Sequence, residues 1–216
     1  FFAYFTYNIK QESKKVVKHM KYSQQILNLA QQNNGIITTE MVVAAGISRG
    51  SLKHLVDSGK LERASRGVYT LPGFWEDEFV NLQSRYKRGI FSLNTALFLC
   101  DLTDRTPGKY HMTFPNTYNL SSPKSEGILC CSAKEPLYSL GIDKLMTPGG
   151  NAVRAYSAER TLCDILRTKN HTDVQIVSEA FKRYVADKKR NIPKLSEYAR
   201  LLKVEKKLRS YLEVLL

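Results

Sequence analysis

Metal-ligand spacing, a phosphate-binding loop and a membrane-length apolar run are all missing from this chain. The 216 residues hold 4 cysteines, Cys100, Cys130, Cys131 and Cys163. None forms a CxxC pair, so the spacing of a structural zinc site is absent. His19, His54, His111 and His171 are scattered, with neither HxxxH nor HExxH, and no GxxxxGK[ST] loop occurs. No metal, no cofactor and no catalytic residue is therefore expected. No stretch approaches the ~20 apolar residues of a membrane span, so no membrane partner is expected either. Four cysteines, two of them adjacent at Cys130 and Cys131, fit free thiols in a reducing cytoplasm.

Acidic charge is also scarce. Asp and Glu number 20 against 33 Lys and Arg, a formal net charge of +13. Such a balance favours polyanionic partners, nucleic acid or an anionic membrane surface. The opening "FFAYFTYNIKQESKKVVKH" puts aromatics first and charges last, the reverse of a secretory signal. Residues 1–19 therefore read as a non-native or disordered extension, with Met20-Lys21-Tyr22 as a natural start.

What is present is a short ordered series of elements. Ile26, Leu27 and Ala30 fall at helical spacing between Ser23 and Gln32, and Asn33-Asn34-Gly35 ends that helix. Ile36-Ile37 is a brief extended piece. Thr38 or Thr39 caps a second helix with Glu40 in its first turn and Met41, Val42 and Ala45 inward. Gly46 stops it. In "GISRGSLKHLVDSGKLERASRGVYTLP", residues 46–72, Ser48 is a good N-cap and Leu52, Leu55 and Val56 form an apolar stripe. Gly50, Lys53, His54 and Asp57 lie opposite, with Arg49 and Ser51 flanking the first turn. Leu61–Arg63 and Val68–Leu71 read as strands joined by Ala64-Ser65-Arg66-Gly67. Helix, strand, helix, tight turn, helix and basic hairpin is the order of a winged helix-turn-helix, with Ile47 anchoring the turn.

The physical fit is to duplex DNA. A recognition helix needs an apolar side for the core and small or basic groups outward, at a width the major groove admits. Arg49, Ser51, Lys53 and His54 are expected to read the groove, with Gly50 letting the backbone near phosphate. Arg63 and Arg66 hold the flanking backbone. Thr38 and Thr39 offer hydroxyl and amide to phosphate.

"LPGFWEDEF", residues 71–79, marks a boundary. Beyond it a helix runs through Tyr86, with Phe79, Leu82 and Tyr86 inward, and Ser92 caps a helix through Leu102. "KYHMTF", "GILCCS" and "NAVRAYS" read as strands, with "TPGGN" (147–151) as a turn between strands. Ser157 caps a helix through Arg167 that pairs Arg160 with Asp164. Asp173–Lys189 is an amphipathic helix with Val174, Val177, Phe181 and Tyr184 on one side. Short helices start at Lys194 and Glu205. Within "KRYVADKKR", Lys182, Arg183, Lys188, Lys189 and Arg190 form a secondary basic surface, read either as a solvated helix face that needs no ligand or as an electropositive extension that meets DNA flanking the site or an acidic partner including RNA. The fold class is α+β: a winged helix-turn-helix domain at 20–73, then a mixed α/β domain at 74–216 ending in helices.

The segment "GIITTEMVVAAGISRGSLKHLVDSGKLERASRGVYTLP", with its "RGVY" wing, resembles the winged-helix domain of the AbiEi antitoxin family. "FSLNTALFLCDLTDRTPGKYHMTFP" and "YSAERTLCDILR" extend the likeness through the second half, whereas residues 1–19 carry none of it. The resemblance implies an antitoxin of a type IV toxin–antitoxin system used in abortive infection and phage defence. It also implies a repressor of its own operon, acting on double-stranded operator DNA, with a C-terminal domain opposing a nucleotidyltransferase-like toxin without a stable complex. A recognition helix reads only a half-site, so the operator is expected to be an inverted repeat. Two other readings stay open at this point: a winged-helix-targeted nuclease or RNA-modifying enzyme, and an antitoxin that grips its toxin directly.

Overall fold

A computed structural model of the chain describes residues 21–215. The expected extension at 1–19 lies outside the described residues. The described chain divides into two compact units. The first runs through Arg85 and includes Pro148–Asn151; the second takes Tyr86–Thr147 and Ala152 onward.

In the first unit, helix α1 (21–32) buries Ile26 and Ala30 completely. Strand β1 (Ile36–Thr38) leads into α2 (Thr39–Ala44), then α3 (Gly50–Asp57) and the hairpin of β2 (Glu62–Ser65) and β3 (Val68–Thr70). The sheet order is β1-β3-β2, both pairings antiparallel. One core holds α1 through the hairpin together: Ile26, Ile37, Val42, Ile47, Leu52, Leu55 and Leu61 pack against one another. Ile47 is 4% exposed, so the turn between α2 and α3 is pinned by the residue expected to pin it. Helix α4 (Glu78–Arg85) belongs to this unit, past the Pro72-Gly73 breaker. Ala45, expected inward, is exposed at the C-cap of α2.

The second unit is a mixed five-stranded sheet with helices. Its strands are β4 (Ile90–Phe91), β5 (His111–Pro115), β6 (Leu129–Ala133), β7 (Ile142–Met146) and β8 (Ala152–Tyr156), in the order β6-β5-β4-β8-β7. The pairs β5–β6 and β4–β8 are parallel; β4–β5 and β7–β8 are antiparallel. The β7–β8 hairpin contains the TPGG turn, with Gly150 at φ +75. The helices are α5 (Leu93–Leu99), α6 (Ser121–Ser125), α7 (Ala158–Ile165), α8 (Val174–Ala186), α9 (Ile192–Leu201) and α10 (Glu205–Leu215). Leu97, Leu162, Phe181, Leu195, Ala199 and Leu208 form the common core of α5, α7, α8, α9 and α10.

Several helix ends fall short of expectation. Helix α5 stops at Leu99, where Asp101 turns to φ +56. Helix α8 stops at Ala186, so Lys188, Lys189 and Arg190 sit in the following turn and not on a helix face. Val174 opens α8 and is 66% exposed, because the first turn overhangs the core. Among the described residues, no helix is long and apolar enough to cross a membrane.

Candidate nucleic-acid interface

The interface is built from α3 and the β2–β3 hairpin. The regular part of α3 begins at Gly50, with Arg49 at the cap position and no side-chain cap bond there. Ser48 still serves the helix start: its hydroxyl accepts from the Gly50 N–H at 3.4 Å and its carbonyl accepts from the Ser51 N–H at 3.1 Å. Leu52 and Leu55 are 1% exposed. Arg49, Gly50, Lys53, His54 and Asp57 face outward. The helix thus has the two-sided character its spacing predicts: one stripe in the core, and on the other side small and basic groups with Asp57 as the single acid.

Ser51 belongs to the other side. It is 1% exposed, and its hydroxyl has no hydrogen-bond partner among the described residues. The first turn rotates it in beside Leu52, so it cannot read a groove. The expected contact at Ser51 is corrected on that ground.

The hairpin tip is Arg66-Gly67, with Gly67 at φ +82 in the left-handed conformation that side chains resist. Arg63 and Arg66 are exposed. The tip is tied back to α2. The Gly67 carbonyl accepts from the Thr39 N–H at 2.9 Å and from its hydroxyl at 3.3 Å. Both Thr39 donors are therefore spent inside the fold, and the expected phosphate contact from Thr39 is withdrawn. Thr38 is the N-cap of α2, accepting from the Met41 N–H at 3.3 Å, which leaves its own proton to donate.

Two bracing features carried no sequence signal. The Ser65 hydroxyl donates to the Asn81 side-chain oxygen at 3.0 Å, and Asn81 is 2% exposed. The Asn81 amide also donates to Glu76 and Glu78. The 148–151 loop adds Asn34 donating to the Gly150 carbonyl at 2.8 Å and Asn151 donating to Asp77 at 2.9 Å. A residue on α4 and a loop distant in sequence thus fix the frame in which the hairpin is held. Lys60, exposed just beyond α3, adds a further cation that spacing did not single out.

The secondary basic surface is weaker than its composition suggests. Arg183 donates to both Asp104 oxygens, one at 2.8 Å, and lies 3.2 Å from Glu179. That hydrogen bond holds the Asp104 carboxyl below the usual carboxylate range. Arg190 donates to the Val185 carbonyl at 2.7 Å. Arg183 therefore drops out of the surface, since its charge is already matched, leaving Lys182, Lys188, Lys189 and Arg190 exposed.

The expected Arg160–Asp164 pair is present at 2.8 Å, but it is a buried group and not a surface pair. Arg160 also donates to the carbonyls of Leu137 and Leu140, at 2.6 and 2.8 Å, and lies over the Tyr156 ring. All four cysteines stand unbridged, and burial pushes the Cys100 and Cys163 thiols up to about 12. Among the described residues no group of three or more His, Cys, Asp or Glu is placed to hold a metal ion.

Residues 24–72, which span α1 to the end of the hairpin, match the family described as "Transcriptional regulator, AbiEi antitoxin". No curated protein sequence matches the chain. Among solved structures, the crystal structure of RV2827C protein from Mycobacterium tuberculosis is similar at 15% identity. The likeness covers 83% of this chain and 71% of that one, with a TM-score of 0.49. The segment that carries the two-sided helix and the basic hairpin, residues 24–72, is thus similar to the AbiEi antitoxin regulators.

Proposed function

We propose that the chain is a cytoplasmic antitoxin that represses its own operon by binding duplex operator DNA through α3 and the hairpin. One observation carries this reading: α3 buries Leu52 and Leu55 while leaving Arg49, Gly50, Lys53 and His54 outward, in the same unit as the exposed Arg63 and Arg66. The family match over this segment supports a regulator and antitoxin role. In the complex, Arg49, Lys53 and His54 reach base edges, where arginine is the commonest bidentate partner of guanine. Gly50 allows close approach, while Thr38, Ser48, Arg63 and Arg66 meet the phosphates. The operator is an inverted repeat, because one helix reads one half-site. The winged domain at 20–73 is the repressor. The remainder, 74–216, opposes a nucleotidyltransferase-like toxin without forming a stable complex with it.

A promoter fusion and a toxin-rescue assay in the same cells test both halves. Arg49→Ala with Lys53→Ala should derepress the promoter while rescue persists when the protein is supplied from an independent promoter. Repression that survives the double substitution refutes the interface. Loss of rescue along with repression refutes the division of labour.

A further inference from the structure

A recess of about 670 Å³ opens in the second unit where the end of α7 and the turn Thr168–Asn170 meet the junction of α9 and α10. Its lining brings together Arg167, Lys169, Arg200, Lys203, Lys206 and Lys207, with Glu205 as the single acid. Some of these cations have partners. Arg167 donates to Asp164 at 3.4 Å, Arg200 lies 3.6 Å from Glu205, and Lys207 Nζ donates to the Leu166 carbonyl at 3.0 Å and the Thr168 hydroxyl at 2.8 Å. The ammonium groups of Lys169, Lys203 and Lys206 take no carboxylate or carbonyl among the described residues, and all three residues are exposed.

Two features here run against ordinary preference. Lys203 sits at φ +59, a left-handed position after a helix where glycine or asparagine is favoured. Lysines also crowd the start of α10, the positive end of its dipole, where acids are favoured and only Glu205 complies. A cluster of cations at a positive helix end is self-repelling, and an anion in the recess relieves that repulsion. The volume lies within the range of small-ligand sites.

A second recess, about 480 Å³, shares Leu166, Arg167, Thr168 and Lys207 with the first. Its own walls differ: His171, Val174, Val177 and Tyr211 line it. Tyr211 stacks on Phe181 with ring centroids 5.0 Å apart, which fixes the ring. A charged half for phosphates therefore adjoins a half with apolar and aromatic walls for a planar base.

We propose that the paired recesses bind a 5′-phosphorylated nucleotide, with the phosphates among Lys203, Lys206 and Lys207 and the base toward Tyr211. Either a free nucleotide or the 5′-phosphorylated end of a strand supplies this chemistry. The proposal is independent of the winged unit.

Calorimetric titration of the full chain tests it, with ATP as one probe and a 5′-phosphorylated oligoadenylate as the other. Adenosine and the 5′-hydroxyl oligomer are the controls. Saturable ATP binding that weakens with salt, with no adenosine binding, is expected for a free nucleotide. Tighter binding of the 5′-phosphorylated oligomer than of ATP or of its 5′-hydroxyl form identifies a strand end. The pair Lys203→Gly and Lys206→Ala should weaken whichever probe binds by at least about tenfold. Glycine suits the left-handed backbone at 203, so the variant should melt at or above the wild-type temperature. No saturable binding of either probe at low salt overturns the proposal. So does adenosine binding as tightly as ATP, or a folded double variant that binds as the wild type does.

Discussion

A serine and an arginine show how side-chain identity is decoupled from position on a pattern. Ser51 is polar and sits one residue from a glycine expected against phosphate, yet its hydroxyl is buried without a partner. A buried hydroxyl without a bond carries a desolvation cost of about 1–3 kcal/mol. Ser51→Ala should therefore raise stability by about 1 kcal/mol in urea titration and leave DNA affinity unchanged. A drop in affinity would put Ser51 back in the interface. Arg160 is the opposite case. Its spacing to Asp164 signals a pair, but nothing local signals that the pair is enclosed by the Leu137 and Leu140 carbonyls and the Tyr156 ring. Arg160→Ala leaves the Asp164 carboxylate, 6% exposed, without its buried partner. The expected cost is about 3–5 kcal/mol of unfolding free energy. A change under about 1 kcal/mol would mean that the group is a surface pair in solution.

At the scale of elements, the winged unit is largely legible in the sequence. Ile26 and Ala30 on α1 and Leu52 and Leu55 on α3 follow from local rules of spacing, and capping rules narrow the start of α2 to Thr38 or Thr39, of which Thr38 is the cap. The second unit is less so. Strands β4 and β7 escape a reading by pattern because Ile90–Phe91 is two residues long and Ile142–Met146 interleaves charge with apolar residues. The helix end at Leu99 is hidden because Cys100 and Leu102 continue the apolar pattern, and the end at Ala186 because Asp187-Lys188-Lys189-Arg190 holds no glycine or proline to mark the stop. Bonds between residues far apart in sequence, such as Ser65 with Asn81, have no local signature at all. That bond yields an element-scale prediction. Asn81→Leu removes the brace between α4 and the hairpin and should cost about 1–2 kcal/mol, with weaker DNA binding though residue 81 touches no DNA. An unchanged operator affinity would show that the hairpin holds its place without α4. Helix α7 supplies another. Burial pushes the Glu159 carboxyl up, but its backbone amide, Lys194 at 3.2 Å and the Ser157 hydroxyl together hold it below the usual range. A depressed carboxylate contributes stability that is full above its unfolded value, about 4.3, and lost as pH falls through its folded value. The wild type should therefore lose stability more steeply below about pH 4 than Glu159→Gln, measured by melting temperature across pH. Parallel curves would contradict this.

The whole molecule carries a charge of +13, and its two units use that excess differently. In the first, Arg49, Lys53, Lys60, Arg63 and Arg66 stand on one helix and its hairpin against Glu40, Asp57 and Glu62. In the second, cations gather at the α9–α10 junction, while Arg183 is neutralised by Asp104 and Glu179. Net charge alone could not make that distinction, since it counts a paired arginine and an unpaired one alike. The central claim is that the outward side of α3 and its hairpin form the surface for duplex DNA. Its most direct test is the affinity of the full chain for DNA upstream of its own gene, measured across a salt series, for the wild type and for Lys53→Ala with Arg66→Ala. For every cation that no longer meets a phosphate, the slope of log affinity against log salt should fall in magnitude by about 1, and affinity at fixed salt should weaken clearly. An affinity and a slope both unchanged in the folded double variant would contradict the account.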